Sequence, residues 1–227
     1  MNQRAGKLQF LGHTAEVVDL SALLNGRTPV YPSDPPLRLA WHARCSEGGC
    51  NVGRIETTLH AGTHVESPLH YADNGTDIAS LPLHLFAGTA VAFDAPKEPG
   101  QSIAAGDVPA EEIRPGDIVL FRTGWEERAG TARFYADEWP GFGADAVEAL
   151  LDLRVKALGG DIPSVDSPLA LGKGAPAHRR LLAAGVVVFE ALVNLRAVAG
   201  RRFTFVGLPL RLEGAEASPV RAMAVLE

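Results

Sequence analysis

The chain has 227 residues, a length that single α/β domains reach, and residues 1–227 read as one domain able to bury a substantial core. Hydrophobic residues make up 46% and charged residues 21%, the balance of a water-soluble globular protein, and the net charge of −6 leaves no basic footprint for nucleic acid. No apolar run is long enough to span a membrane, and Met1 to Phe10 lacks the apolar core of a secretory signal, so the expected location is the cytoplasm.

In chain order, the first fifteen residues are polar and read as loose, and Val17 to Leu20 reads as a short strand. Pro29 to Pro36 is too rich in proline for a helix or a central strand and reads as a stiff loop, either a pocket wall or an ordinary surface turn. Cys45 and Cys50 are the two cysteines. Their spacing fits no Cys-x-x-Cys motif and no second pair completes a zinc site, so two free thiols are expected, with a disulfide closed over Gly48 and Gly49 the alternative. Ile55, Thr57 and Leu59 alternate with polar or small residues and read as a strand.

Directly after it comes the stretch that carries the chemistry. His60-Ala-Gly-Thr-His64-Val-Glu66-Ser-Pro-Leu-His70 holds three histidines and a carboxylate within eleven residues. Imidazole and carboxylate are the usual ligands of a divalent transition metal. Gly62 and Pro68 rule out one uninterrupted helix. The expected picture is a strand ending at a bend, with His60, His64 and Glu66 turned toward one point.

Farther on, Asp73 to Thr76 is a turn, Thr89 to Phe93 a strand, and Pro109 to Ile113 a short helix. Ile118 to Phe121 is a continuous apolar run, as expected of a strand buried on both faces. Arg128 to Pro140 is loop-like, and its Phe134, Tyr135 and Trp139 either cover something or pack on the body. Ala144 to Leu153 has helical spacing. Val155 to Leu158 is a strand leading into the Asp161–Asp166 loop, at a strand's C-terminal end, where open α/β sheets favour sites. Pro176 to Ala184 is a helix carrying His178, with Gly185 at its exit. Val186 to Phe189 is a buried strand ending in Glu190, a carboxylate that burial would leave in need of a cation. Phe203 to Leu210 and Val220 to Leu226 read as closing strands.

His60, Gly62, Thr63, His64, Pro68 and His70 match the pattern His-x-Gly-Thr-His-x-Asp-x-Pro-x-His, which resembles the metal-dependent cyclase-like hydrolases, a family that includes bacterial kynurenine formamidase and isatin hydrolase. Pro29 to Pro35, Arg114 to Trp125, Leu208 to Leu212 and Ser218 to Ala222 are similar to further stretches of that family. Glu66 departs from the pattern, standing where the family has Asp. Its extra methylene moves the carboxylate by about one bond, ~1.5 Å, which leaves open whether one or two metal ions bind.

The resemblance implies an α/β fold: a single β/α/β domain with a mixed central sheet and flanking helices, assembled as a homodimer or homotetramer. It implies metal ligation by His60, His64, Glu66, His178 and Glu190, with Zn2+ the first choice and Mn2+ the alternative, one or two per chain. It assigns His70 as the proton shuttle, since histidine titrates near neutrality. It places Trp125 and Ser164 near the substrate and Asp161 and Asp166 behind the ligands. Those two aspartates fit ligand orientation or ordinary turn hydrogen bonds. The implied reaction on a small-molecule substrate is cleavage of a carbon–nitrogen amide bond by metal-activated water, with N-formylkynurenine the leading substrate. Opening of a cyclic amide, imide or lactone would use the same residues. A catalytically silent metal- or ligand-binding protein is the third reading. His13, His42 and His84 match no motif and are expected to be structural or exposed.

Overall fold

The structure, a computed structural model, describes residues 5–10, 13–136 and 138–226. In chain order its strands are β1 (Ala5–Phe10), β2 (His13–Asp19), β3 (Arg38–Ala43), β4 (Val52–Glu56), β5 (His64–Glu66), β6 (Ala87–Asp94), β7 (Ser102–Ile103), β8 (Ile118–Arg122), β9 (Gly141–Phe142), β10 (Ala157–Gly160), β11 (Val187–Glu190), β12 (Arg202–Val206), β13 (Ala217–Pro219) and β14 (Met223–Leu226). The α-helices are α1 (Arg133–Ala136), α2 (Ala144–Asp152), α3 (Pro168–Leu171) and α4 (Pro176–Ala183).

Among the described residues ten strands form one mixed sheet in the order β1-β2-β14-β12-β6-β8-β10-β11-β5-β13. Its centre, β6-β8-β10-β11, is parallel, and the pairings on either side are antiparallel. The parallel strands are the apolar runs, and their alternate residues enter two different cores. Val91, Phe93, Val119, Phe121, Leu158 and Val188 face one side, where Ala146, Val147 and Leu150 of α2 and Leu181 and Leu182 of α4 cover them. Ala90, Ala92, Ile118, Leu120, Val187 and Phe189 face the other, with Val18, Phe205 and Ala224 of the antiparallel strands. That second face is covered by the sheet itself. Ser21, just past β2, bridges to Leu192, just past β11, although those strands stand six places apart in the sheet. The sheet therefore curls far enough for its distant strands to meet.

Several local expectations are corrected. Residues 5–10 pair with β2 as a hairpin rather than being loose, while residues 1–4 and 11–12 lie outside the described residues. The strand before the histidine motif ends at Glu56 and pairs only with β3, in a separate hairpin with most of its side chains exposed. The motif's own centre, His64–Glu66, is instead a strand of the main sheet, between β11 and β13. Alternation in residues 55–59 could not reveal this, because pairing partners more than a hundred residues away decide it. Of the last apolar stretch, Val220 to Leu226, only Met223–Leu226 is strand β14, with β13 just before the stretch, and β12 ends at Val206. Pro109 to Ile113 holds only a single 3-10 turn, Ala110–Glu112. Cys45 and Cys50 are exposed free thiols, and His42 and His84 are exposed.

Candidate metal centre

The register of β5 builds the site. His64 lies opposite Glu190, and Glu66 lies opposite Val188. Directly opposed residues share a face, and residues two apart on a strand do as well. Val65 and Phe189, one step out of phase, enter the helix-free core. His64, Glu66 and Glu190 are thereby turned to the helix-covered side, where α4 presents His178. Gly62 makes the turn into β5 with φ of +67°, and a Cβ there would collide with Leu24 Cδ2. Thr63 fastens the same turn: its Oγ1 donates to Ala191 O (2.6 Å) and accepts from Ala22 N (2.8 Å).

The cluster centres on Glu66. Its Oε1 lies 3.0 Å from His60 Nδ1, 3.4 Å from His64 Nε2 and 3.5 Å from His70 Nε2. Its Oε2 lies 3.0 Å from His178 Nε2. Glu190 spans two of these four imidazoles, with Oε1 3.1 Å from His178 Nε2 and Oε2 3.5 Å from His64 Nε2. The side chains of His64, Glu66, His178 and Glu190 are at most 4% exposed, whereas His60, His70 and Glu216 are 21%, 24% and 35% exposed and form the open side.

The donor set fits a metal. Two groups of ligand-type atoms share Glu66: His60, His64 and Glu66, and Glu66, His70 and His178. Buried Glu66 Oε2 and His178 Nε2 are within contact distance, yet neither makes a hydrogen bond. Burying such atoms without partners is costly. Atoms that face a shared cation rather than each other have this arrangement.

The electrostatics show the same strain toward positive charge. Burial acts to raise the Glu66 carboxyl, but His178, His60 and His64 hold it well below its ordinary range. Burial acts to lower His60, but Glu216 and Glu66 outweigh it and raise the imidazole to about 10. His64 and His178 are also raised against burial, His64 by Glu190 and Glu66, His178 by Glu66, Asp166 and Glu190. His70 goes the other way: its burial prevails, and its pKa is lowered.

Around this centre, Asp166 does two jobs. Its Oδ2 lies 2.7 Å from His178 Nδ1, and its carboxylate accepts the N–H groups of Ala177 and His178 at the start of α4. Ala175, the residue preceding that helix, offers no side-chain cap, and Asp166 takes the place of one. Ser164 is buried and accepts from Asp166 N, inside the same loop, while Val165 N donates to Glu190 Oε1 at 2.7 Å.

Of the two readings of Asp161, the structure has the loop hydrogen bonds: its carboxylate accepts from Thr123 N and Oγ1, Gly124 N and Glu126 N, which ties down the loop after β8. The expectation for Trp125 is corrected. Trp125 is fully buried in the helix-side core, donating to Phe134 O under the Arg128 guanidinium, and forms no open wall. Phe134 and Trp139 are core residues as well. Tyr135 is the half-buried aromatic of that segment, packed against the same core: burial raises its pKa, and the charges of Glu190, Asp34 and Glu66 raise it further. Its ring meets Tyr31 of the proline-rich loop edge-on at 6.1 Å. Tyr71 stacks beside His178 at 5.0 Å.

Glu216 was not singled out in the sequence. Its Oε1 lies 3.2 Å from His60 Nε2, and its backbone carbonyl accepts from Ser67 N and Oγ, next to the end of β5. No motif spacing marks a carboxylate 156 residues away from its partner.

A mixed sheet on which β5, β11 and helix α4 gather buried histidines and carboxylates into one cluster defines an α/β protein with a metal-ligand centre. Residues 18–167 match the family model described as putative cyclase, and the chain belongs to that family. It is 36% identical over 213 residues to a kynurenine formamidase of Salinibacter ruber, covering 91% of this chain and 96% of the relative. It is 34% identical to one of Sphingopyxis alaskensis, covering 92% and 97%. Isatin hydrolase A from Ralstonia solanacearum superposes with a TM-score of 0.85 at 25% identity, covering 94% and 92%. A potential metal-dependent hydrolase with cyclase activity superposes with a TM-score of 0.78 at 27% identity, covering 94% and 98%.

Proposed function

We propose that this chain is a metal-dependent amidohydrolase, an arylformamidase acting on N-formylkynurenine or a close aryl formamide. The observation that carries the reading is the buried cluster in which the His60, His64 and His178 rings converge on the carboxylates of Glu66 and Glu190. His60, His64, Glu66, His178 and Glu190 would hold the metal, Zn2+ before Mn2+, since mixed nitrogen and oxygen donors suit both. Such an ion supplies a Lewis acid and lowers the pKa of bound water from about 15.7 toward about 7.

The chain's own residues supply the rest. His70, on the open side and kept neutral at pH 7 by its lowered pKa, is placed to take and return a proton at Nε2. Asp166 fixes the ring of His178 through Nδ1, and Gly62 O fixes that of His64. Tyr71, its ring 5.0 Å from that of His178, gives an aromatic substrate body apolar surface beside the cluster. The kynurenine formamidase relatives favour an acyclic formamide. The superposition on isatin hydrolase A supports a second reading, the opening of a cyclic amide at the same residues.

Purified protein loaded with zinc or manganese and offered N-formylkynurenine, isatin and simple lactones separates these readings. Formate release from the formamide well above ring opening is expected. Ring opening alone would replace the first reading with the second. Hydrolysis of none of them, with metal bound, would overturn the arylformamidase reading.

Surface chemistry supports an assembly of copies. Leu39, Trp41, Val52 and Ile55 on the β3–β4 hairpin are 55%, 53%, 39% and 54% exposed, and an isolated two-stranded hairpin is marginal in water. A cavity of about 380 Å3 lies against this hairpin, lined by Leu39, Trp41 and Ile55. Burial of these residues against a second copy in a homodimer, or a tetramer built from it, is the arrangement proposed. No helix among the described residues is long and apolar enough to cross a membrane. The proposed setting is the cytoplasm, with the whole 1–227 chain as one domain.

A further inference from the structure

We infer that Glu216 is a positioning residue that makes His60 present Nδ1, rather than Nε2, to the metal. The inference rests on the reading of the cluster as a metal centre. Each of three buried or half-buried histidines commits one ring nitrogen outward. For His64 it is Nδ1, 2.8 Å from Gly62 O, and for His178 it is Nδ1, 2.7 Å from Asp166 Oδ2. Both therefore turn Nε2 inward, toward Glu66 and Glu190.

His60 is inverted. Its Nε2 faces outward to Glu216 Oε1 at 3.2 Å, and its Nδ1 faces inward, 3.0 Å from Glu66 Oε1 and 3.2 Å from His64 Nε2. A neutral imidazole has one N–H and one lone pair. A carboxylate that accepts from Nε2–H leaves the lone pair on Nδ1, and so selects the tautomer that can ligate from the inner side. The other two histidines have a backbone carbonyl or a fully buried carboxylate in that role. His60 depends on a side chain at the open edge of the site, the least enclosed of the three outer partners. Glu216 is itself well placed for the task, because Ser67 N and Oγ clamp its carbonyl against the end of β5 and that clamp survives any side-chain change.

The test uses the full chain stripped of metal and titrated with zinc against a chromophoric chelator, as wild type, Glu216→Ala and Glu216→Gln. Losing an outer partner of a ligating histidine typically costs about 10–100-fold in metal affinity. Glu216→Ala is expected to fall in that range, and Glu216→Gln, whose amide oxygen still accepts, to lose less. Nitrogen-15 imidazole spectra of the zinc-loaded wild type supply a readout that does not depend on any variant folding. They should show His60 carrying its proton on Nε2. Zinc affinity of a folded Glu216→Ala protein within twofold of wild type, or a proton on His60 Nδ1, overturns the assignment of Glu216 alone. A wild type that takes up no zinc overturns the metal centre as well.

Discussion

At the scale of single residues, the site divides into groups with opposite responses to pH. His70 is neutral at pH 7 and stands on the open side, so His70→Ala should keep its metal and slow turnover by about 10²–10⁴-fold, the usual contribution of a positioned acid or base. His60→Ala and His64→Ala should lower metal content and activity together. Metal analysis beside kinetics distinguishes the cases, and loss of metal from His70→Ala would make His70 a ligand instead of a shuttle. His60 titrates differently. Its folded-state pKa is raised to about 10, above the roughly 6.5 of an unfolded chain. The stabilisation it gives the metal-free fold is therefore complete below about 6.5 and is lost as pH climbs toward about 10. Chelator-treated protein should melt at progressively lower temperature from pH 7 to 10. The same proton has to leave before a cation binds, so zinc affinity should rise across that window. A flat melting profile, with zinc affinity independent of pH, would contradict the pairing of His60 with Glu216 and Glu66.

At the scale of elements, β5 and α4 meet over the site, and Asp166 couples α4 to it. Removing its carboxylate takes two acceptors from the first turn of α4 and the outer partner from His178. Loss of a helix cap costs about 0.5–2 kcal/mol. Asp166→Ala should lower stability in urea by at least that amount and also weaken metal retention about 10–100-fold. An Asp166→Ala protein destabilised but with wild-type metal affinity would show that the helix, and not His178, is what Asp166 serves. Asp161 gives the contrast: it is as deeply buried but its four hydrogen bonds hold the β8 loop, so its removal should act on stability.

At the scale of the whole molecule, the exposed β3–β4 hairpin predicts association. Trp41→Glu, or Leu39→Lys with Ile55→Lys, puts charge into the surface proposed to be buried between copies, where an unpaired charge is costly. Sedimentation should show a dimer or tetramer for the wild type and a monomer for these variants, at unchanged secondary structure. A wild type that sediments as a monomer would remove this assembly.

The sequence alone was enough for the parts that are local. The ligand-rich stretch from His60 to His70, the apolar runs of β8 and β11, and α4 with Pro176 at its start are all written in neighbouring residues, because backbone preference and side-chain chemistry act over a few positions. Tertiary structure decided what depends on distant partners. That His64–Glu66 is a strand follows from pairing with β11 and β13, that Asp166 serves His178 and Asp161 does not follows from where two loops cross, and Trp125 is drawn into the core by the area it buries. Glu216 is the sharpest instance. It reaches His60 only because β13 pairs with β5 and carries the residue before it to the mouth of the site, a juxtaposition that hydrogen-bonded register creates and no spacing along the chain records.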